Sequence, residues 1–235
     1  MNTLITRNRF PLWAAIAVGA AVIIGFTRTY YLRFYFDLPP LSRMAHIHGV
    51  LSTLWIAMHY SQARLIATHR VGLHKRLGIA GAILGAVIFI QAGMLSIGGA
   101  AEGHAPPGRN PLQFLSVSLG TTFMFGAFLT AALAMRRRSE WHKRLMLLTS
   151  LVLLLPAIGR IDGLMYLHFG TPRTVLPFLV TAGFVVWACM NDRHKRGSIH
   201  DAYLYGGFIL LAAIPFRAWL GKTEAWMPFA QWITA

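Results

Sequence analysis

Residues 77 to 97 read LGIAGAILGAVIFIQAGMLSI, a stretch without a single charge. About 20 apolar residues at roughly 1.5 Å per residue are what an α-helix needs to cross a hydrocarbon core of about 30 Å. The stretch is apolar on every face, so it lacks the one-sided period of a helix lying on a water-soluble core. It is also continuous rather than alternating, which excludes the strands of a transmembrane barrel. In lipid the backbone must satisfy its own polar groups, and a helix does so within the segment.

Comparable runs near 12–27, 46–67, 112–135, 145–168, 174–190 and 202–220 bring the expected total to about seven. The predicted fold is an all-α polytopic membrane helical bundle, forming a single integral membrane domain over residues 1–235. Composition agrees: 56% of residues are hydrophobic and only 12% are charged, too few to coat a soluble globule of 235 residues. Arg7 and Arg9 before the first apolar run resemble a signal peptide. No small-x-small cleavage site precedes the aromatic segment YYLRFYF (30–36), so the run reads as a retained anchor.

The formal net charge of +15 is a question of placement. Arg7 and Arg9, then Arg64, Arg70, Lys75 and Arg76, then Arg136, Arg137, Arg138, Lys143 and Arg144, then Arg193, Lys195 and Arg196 all fall on one side of a seven-span chain. They make up fourteen of the 22 Lys and Arg residues. The positive-inside rule then places the N-terminus in the cytoplasm and the C-terminus outside, with Arg28, Arg33 and Arg43 opposing it weakly. Anionic headgroups on the inner face of the bilayer are partner enough for such a surface, and no nucleic acid is needed. Cys189 is the only cysteine, so no disulfide forms within the chain. Tyr30, Tyr31, Phe34, Tyr35 and Phe36, and at the far end Trp219, Trp226, Phe229 and Trp232, read as interfacial belts. The last group fits a short helix lying on the outer surface.

Two basic connections carry a histidine in the same setting, RVGLHKRL (70–77) and RSEWHKRL (138–145). The offset that lays His74 on His142 also superposes a span, a connection and a following span running in the same direction, a parallel helical-hairpin repeat. Arg196 and His200 in RGSIHDAYLYGG keep the same R-x-x-x-H spacing, so the motif is expected at the inner start of the third, fifth and seventh spans. His74, His142 and His200 are then either interfacial side chains snorkelling to headgroups or converging ligands and proton carriers. In the second span His48, Ser52, Trp55, His59 and Gln62 recur at steps of four and three and share one face, which should point into the bundle. His48 and His59 lie about 16 Å apart along the axis, too far to hold one ion together. Asp162 is the one acidic residue expected inside the membrane. Its partner should come from another helix, with Arg217 or a histidine of the second span as candidates, while Arg160 faces elsewhere and Pro156 interrupts the span.

The run HIHGVLSTLWIAMHYSQARLIATHRVGLHKRLGIAGA, with RGSIHDAYLYGG and the terminal TEAWMPFAQW, resembles a bacterial family of uncharacterised multi-pass membrane proteins, over nearly the whole chain. That implies a bacterial inner membrane and carries no activity. HKRLG, with Gln91 later in the same span, is similar to a haem-ligand pattern of di-haem b-type transmembrane cytochromes. In that family the ligands come from four consecutive helices, whereas the fourth span here offers no good histidine.

Three functions stay open. A b-type haem protein moving electrons across or within the membrane would pair His48 with His168 near the outer face and His74 with His142 near the inner, with His59 and His200 as further candidates for haem b and a membrane redox or respiratory partner. A transporter, sensor or assembly partner of a respiratory complex would use the polar stripe as a cavity lining. A metal-dependent membrane hydrolase would gather His46, His48 and Asp162 around zinc.

Overall fold

The computed structural model describes residues 9–169 and 174–235. Arg7 lies outside them. Nine α-helices follow one another among the described residues: α1 (Phe10–Phe26), α2 (Arg43–Ala67), α3 (Val71–Ala101), α4 (Pro111–Ala134), α5 (Ser139–Leu151), α6 (Leu154–Phe169), α7 (Val175–Arg196), α8 (Asp201–Leu220) and α9 (Trp226–Thr234). No strand occurs among them. Six segments are long and apolar enough to cross a membrane: Phe10–Tyr31, Val71–Ala101, Pro111–Ala134, Ser139–Met165, Val175–Arg196 and Asp201–Leu220. The protein is an all-α, multi-pass membrane bundle. The remaining expected span, α2, has 25 residues, the length to cross, but its polar stripe keeps it out of that set.

The hairpin repeat is visible in the helix limits. Shifting α2 and α3 by the His74-to-His142 offset gives 111–135 and 139–169, the territory of α4 and of α5 with α6. The caps repeat as well. Ser42 Oγ accepts from the Ala45 amide at 3.2 Å and Asn110 Oδ1 from the Gln113 amide at 3.1 Å, each satisfying an orphan donor of the first turn. Arg70 and Arg138 then stand at the N-caps of α3 and α5.

The second copy of the long helix is broken. Pro156 has no amide to give, and its ring crowds the carbonyl four residues back, so regular helix stops at Leu151 and resumes at Leu154. At the α2–α3 turn, His69 takes the left-handed conformation (φ 59°). There the Arg70 amide donates to the Leu65 carbonyl at 2.8 Å and the His69 amide to the Ile66 carbonyl at 3.1 Å, a Schellman closure built without glycine.

Helices α1 to α5 close a ring, each packing on the next and α5 returning to α1. Outside the ring, α6 packs on α1 and α7, α8 on α4, α5 and α7, and α9 on α3 and α4. Glycines set the closest approaches: a Cβ at Gly25 would collide with the Ala157 carbonyl of α6. In α3 the small face, Gly81 and Gly85, is buried against Met58, Trp55 and Leu129, while Ile79, Ile83 and Ile90 are exposed as a lipid-facing stripe. Trp55 and Phe125 meet edge-on across the ring, with centroids 5.1 Å apart. The C-terminal aromatic segment is the short helix α9, held by the Trp226 Nε1–H donating to the Leu112 carbonyl at 2.8 Å and by fully buried Ala230.

Candidate functional site

The ends of the helix pairs α2–α3, α4–α5 and α7–α8 carry the basic connections. The N-cap arginines put His74 and His142 at the fourth position of α3 and α5, where the two rings face each other with centroids 6.3 Å apart and planes at 77°. Each ring is held through Nδ1. His142 Nδ1 lies 2.8 Å from the Ala132 carbonyl at the end of α4, to which it donates. The Gln62 amide of α2 lies 2.5 Å from His74 Nδ1; turned with its nitrogen towards the ring it donates there and to the His74 carbonyl at 3.2 Å, while its oxygen accepts from the Gly78 amide at 3.0 Å. Both Nε2 atoms are left for other chemistry. Ring orientation fixed by a partner on the far nitrogen is the arrangement that ligating histidines use.

One turn before Gln62 on α2, His59 lines a narrow void between α1, α2 and α5, together with Trp55 and Ser150, with no room for a water molecule. Trp55 Nε1 and Ser150 Oγ are buried without a hydrogen-bond partner, an uncommon cost in a closed interior. The polar stripe of α2 therefore does face inward: His48 reaches α3, Trp55 the ring centre, His59 the void, and Gln62 the histidine pair.

His200 does not join the pair. Helix α7 runs through Arg196 and ends at Gly197 (φ 78°), so the third R-x-x-x-H straddles two helices. His200 is the N-cap of α8, its Nδ1 accepting from the Ala202 amide at 3.1 Å and its ring lying 4.9 Å from that of Trp141. Its imidazole is held below the ordinary value near 6.5 by partial burial first, then by Arg144 and Arg196, with Asp192 and Asp201 opposing.

Asp162 is not the only acidic residue inside the bundle. Asp192 is buried at the end of α7, where both carboxylate oxygens accept from Arg144, Nη2 at 2.6 Å and Nε at 2.7 Å. It also accepts from the His200 amide at 3.2 Å. Arg144, 1% exposed, spends its Nη1 on the Glu140 carbonyl (2.7 Å) and carboxylate (2.8 Å) and lies over the Tyr203 ring. Asp192 sits in the basic run NDRHKR, where charge counting files it with the solvated connection. Only Arg144, facing it from α5, brings it indoors.

The opposite end holds a different set. His48 Nδ1 lies 2.6 Å from Gln91 Oε1, and Gln91 in turn donates to the Met44 carbonyl at 2.9 Å. His46 lies against the Tyr30 ring, and the Tyr30 hydroxyl donates to its carbonyl. Asp162 accepts from the Thr174 amide at 3.0 Å, so its observed partner is the start of α7 rather than Arg217 or a second-span histidine. Arg217 instead donates to the Val117 carbonyl and to Thr121 on α4. Arg160 packs over the Phe26 ring and donates to Thr29 at 2.9 Å. His168 is exposed on α6, its Nδ1 2.8 Å from the Leu164 carbonyl. His46, His48 and Asp162 thus keep separate partners, and among the described residues no three His, Cys, Asp or Glu side chains group closely enough to hold a metal ion.

No family model, no curated protein and no solved structure matches the chain.

Proposed function

We propose that this integral membrane protein is a b-type haem protein of the inner membrane, in which His74 and His142 would hold the haem at the cytoplasmic, basic end of the bundle. The observation that carries the reading is the pair's geometry. His74 and His142 stand on different helices with ring centroids 6.3 Å apart, close enough that both could hold one haem iron. The donor set fits: two imidazoles on different helices, each oriented through Nδ1, next to basic connections that would offset propionate charge. Bound there, haem would supply one-electron chemistry.

The chain's own contribution is positioning. The Ala132 carbonyl, in the last turn of α4, fixes His142 as the tautomer whose Nε2 is a free base. With its amide oxygen towards the ring, Gln62 accepts from His74 Nδ1–H and leaves His74 in the same state. The buried Trp55–Phe125 pair fills the ring interior beyond it. Electrons would pass to a membrane redox or respiratory partner. With the N-terminus inside and the C-terminus outside, the exposed cations of the basic connections would face anionic headgroups.

The surroundings of the Gln62 amide favour a second reading. With its nitrogen turned towards the ring, the orientation that also satisfies the His74 carbonyl and the Gly78 amide, Gln62 donates to His74 Nδ1, so His74 carries its proton on Nε2 while His142 Nε2 is free to accept one. Two neutral imidazoles with complementary tautomers form a proton-exchanging pair, suited to a transporter or sensor with His59 deeper on the path.

The test is haem stoichiometry by pyridine haemochrome assay on protein from haem-sufficient cells. The haem reading expects haem in the native chain, its loss in His74→Ala and His142→Ala, and retention in His200→Asn. Haem-free protein with the same fold leaves the proton-exchange reading and removes the first.

A further inference from the structure

The exposed side of the α2–α3 hairpin carries an open pocket of about 720 Å³ at the basic end. Arg64 from α2, Arg70 from the turn and Arg76 from α3 converge on it, with Tyr60 at its rim and Leu73 and Leu77 in its wall. None of the three arginines has an acidic partner among the described residues, and all three are exposed. On the neighbouring hairpins Arg144, Lys143 and Arg196 are engaged by Glu140 or Asp192, and Arg137, Arg193 and Lys195, likewise without an acidic partner among the described residues, do not line this pocket. The chain has only seven Asp and Glu residues in all, so this hairpin's charge is left for an external anion.

We infer that the pocket is a discrete binding site for an anionic glycerophospholipid. Guanidinium groups recognise phosphate oxygens in a planar, paired fashion that a diffuse surface field does not. Three of them around one pocket favour a headgroup with two phosphates over one with a single phosphate. The apolar wall supplies what a free phosphate cannot use: Leu73, Leu77 and Ala80 recur at steps of four and three along one face of α3, a track along which an acyl chain can lie. Basic pockets between membrane helices on the cytoplasmic side recognise headgroups in this way. The Schellman turn at His69 sets the pocket's shape, because it fixes Arg70 between the two helices.

The experiment is native mass spectrometry of the full chain released from mild detergent, with delipidated protein titrated with cardiolipin, phosphatidylglycerol, phosphatidylcholine or inorganic phosphate. Two variants lose equal charge at the same end: Arg64→Gln/Arg70→Gln/Arg76→Gln in the pocket, and Arg137→Gln/Arg193→Gln/Lys195→Gln outside it. Cardiolipin should bind the native chain and the outside variant alike and lose at least tenfold in affinity in the pocket variant. Phosphatidylcholine should not compete. Equal weakening in both variants would replace the site with a general basic field. Displacement of cardiolipin by millimolar inorganic phosphate would make it a free-anion site, and absence of binding to the native chain would remove it. The single variant Arg70→Gln, with an intermediate loss and an unchanged elution profile, separates lost recognition from misfolding.

Discussion

Removing the Asp192 carboxylate should be among the most damaging single changes outside the ring centre. Arg144 is 1% exposed and gives its Nε and Nη2 protons to Asp192, at 2.7 and 2.6 Å. Asp192→Ala leaves those two donors buried and the His200 amide without its acceptor, while Glu140, half-exposed, still holds Nη1. Breaking a buried pair by deleting one partner costs roughly 3–5 kcal/mol, because the remaining charge stays desolvated. Asp192→Asn keeps an acceptor and the volume but loses the charge, so its cost should be about half. The double variant Arg144→Met/Asp192→Leu removes both charges and should lie well above the sum of the two single losses, with a coupling of about 2 kcal/mol or more. The assay is the thermal midpoint of the detergent-solubilised protein at fixed protein and lipid concentration, read by loss of the monodisperse elution peak. An Asp192→Ala midpoint matching the native one, or a double variant as damaged as the summed singles, would refute the reasoning.

Further expectations use the same assay. Gly25→Ala should destabilise by about 1–3 kcal/mol, because its methyl meets the Ala157 backbone, which can move only with the α1–α6 contact. Gly93→Ala, in the middle of α3 with nothing near its Cβ, should be neutral or stabilising by up to about 1 kcal/mol. His69→Gly should stabilise by about 1 kcal/mol, because it relieves a left-handed conformation that a side chain disfavours. For His200, whose folded-state pKa is lowered, folding favours the neutral ring. Its stabilisation is therefore complete above the unfolded value near 6.5 and is lost as pH falls through the lower folded value. His200→Asn should keep the cap and flatten that acid-side decline, seen as a smaller drop in midpoint between neutral and mildly acidic buffer.

The hairpin repeat, the long apolar helices and the inward stripe of α2 were legible in the sequence because each rests on a local signal: a repeated motif, run length, and polar residues spaced by three and four. The Pro156 break was legible for the same reason, since a proline acts on the carbonyl four residues away. Which face of α3 turns inward was not legible, because both faces are apolar, and only the packed structure shows that the glycine side is buried and the isoleucine side meets lipid. The third R-x-x-x-H misled because equal spacing does not imply equal register: Arg196 belongs to α7 and His200 to the cap of α8. Asp192 was missed because its partner stands two helices earlier in the chain, on α5, and pairing over such a separation leaves no periodic trace. The His74–His142 meeting lay between the two cases, since the repeat predicts equivalent positions and only the ring closure of α1 to α5 brings them face to face.

The most direct measurement is the reduced-minus-oxidised absorption spectrum of the purified native chain, taken beside His74→Ala and His142→Ala. The account predicts a Soret band that shifts on dithionite reduction in the native protein and disappears in both variants. A colourless native protein that is folded and monodisperse would contradict it.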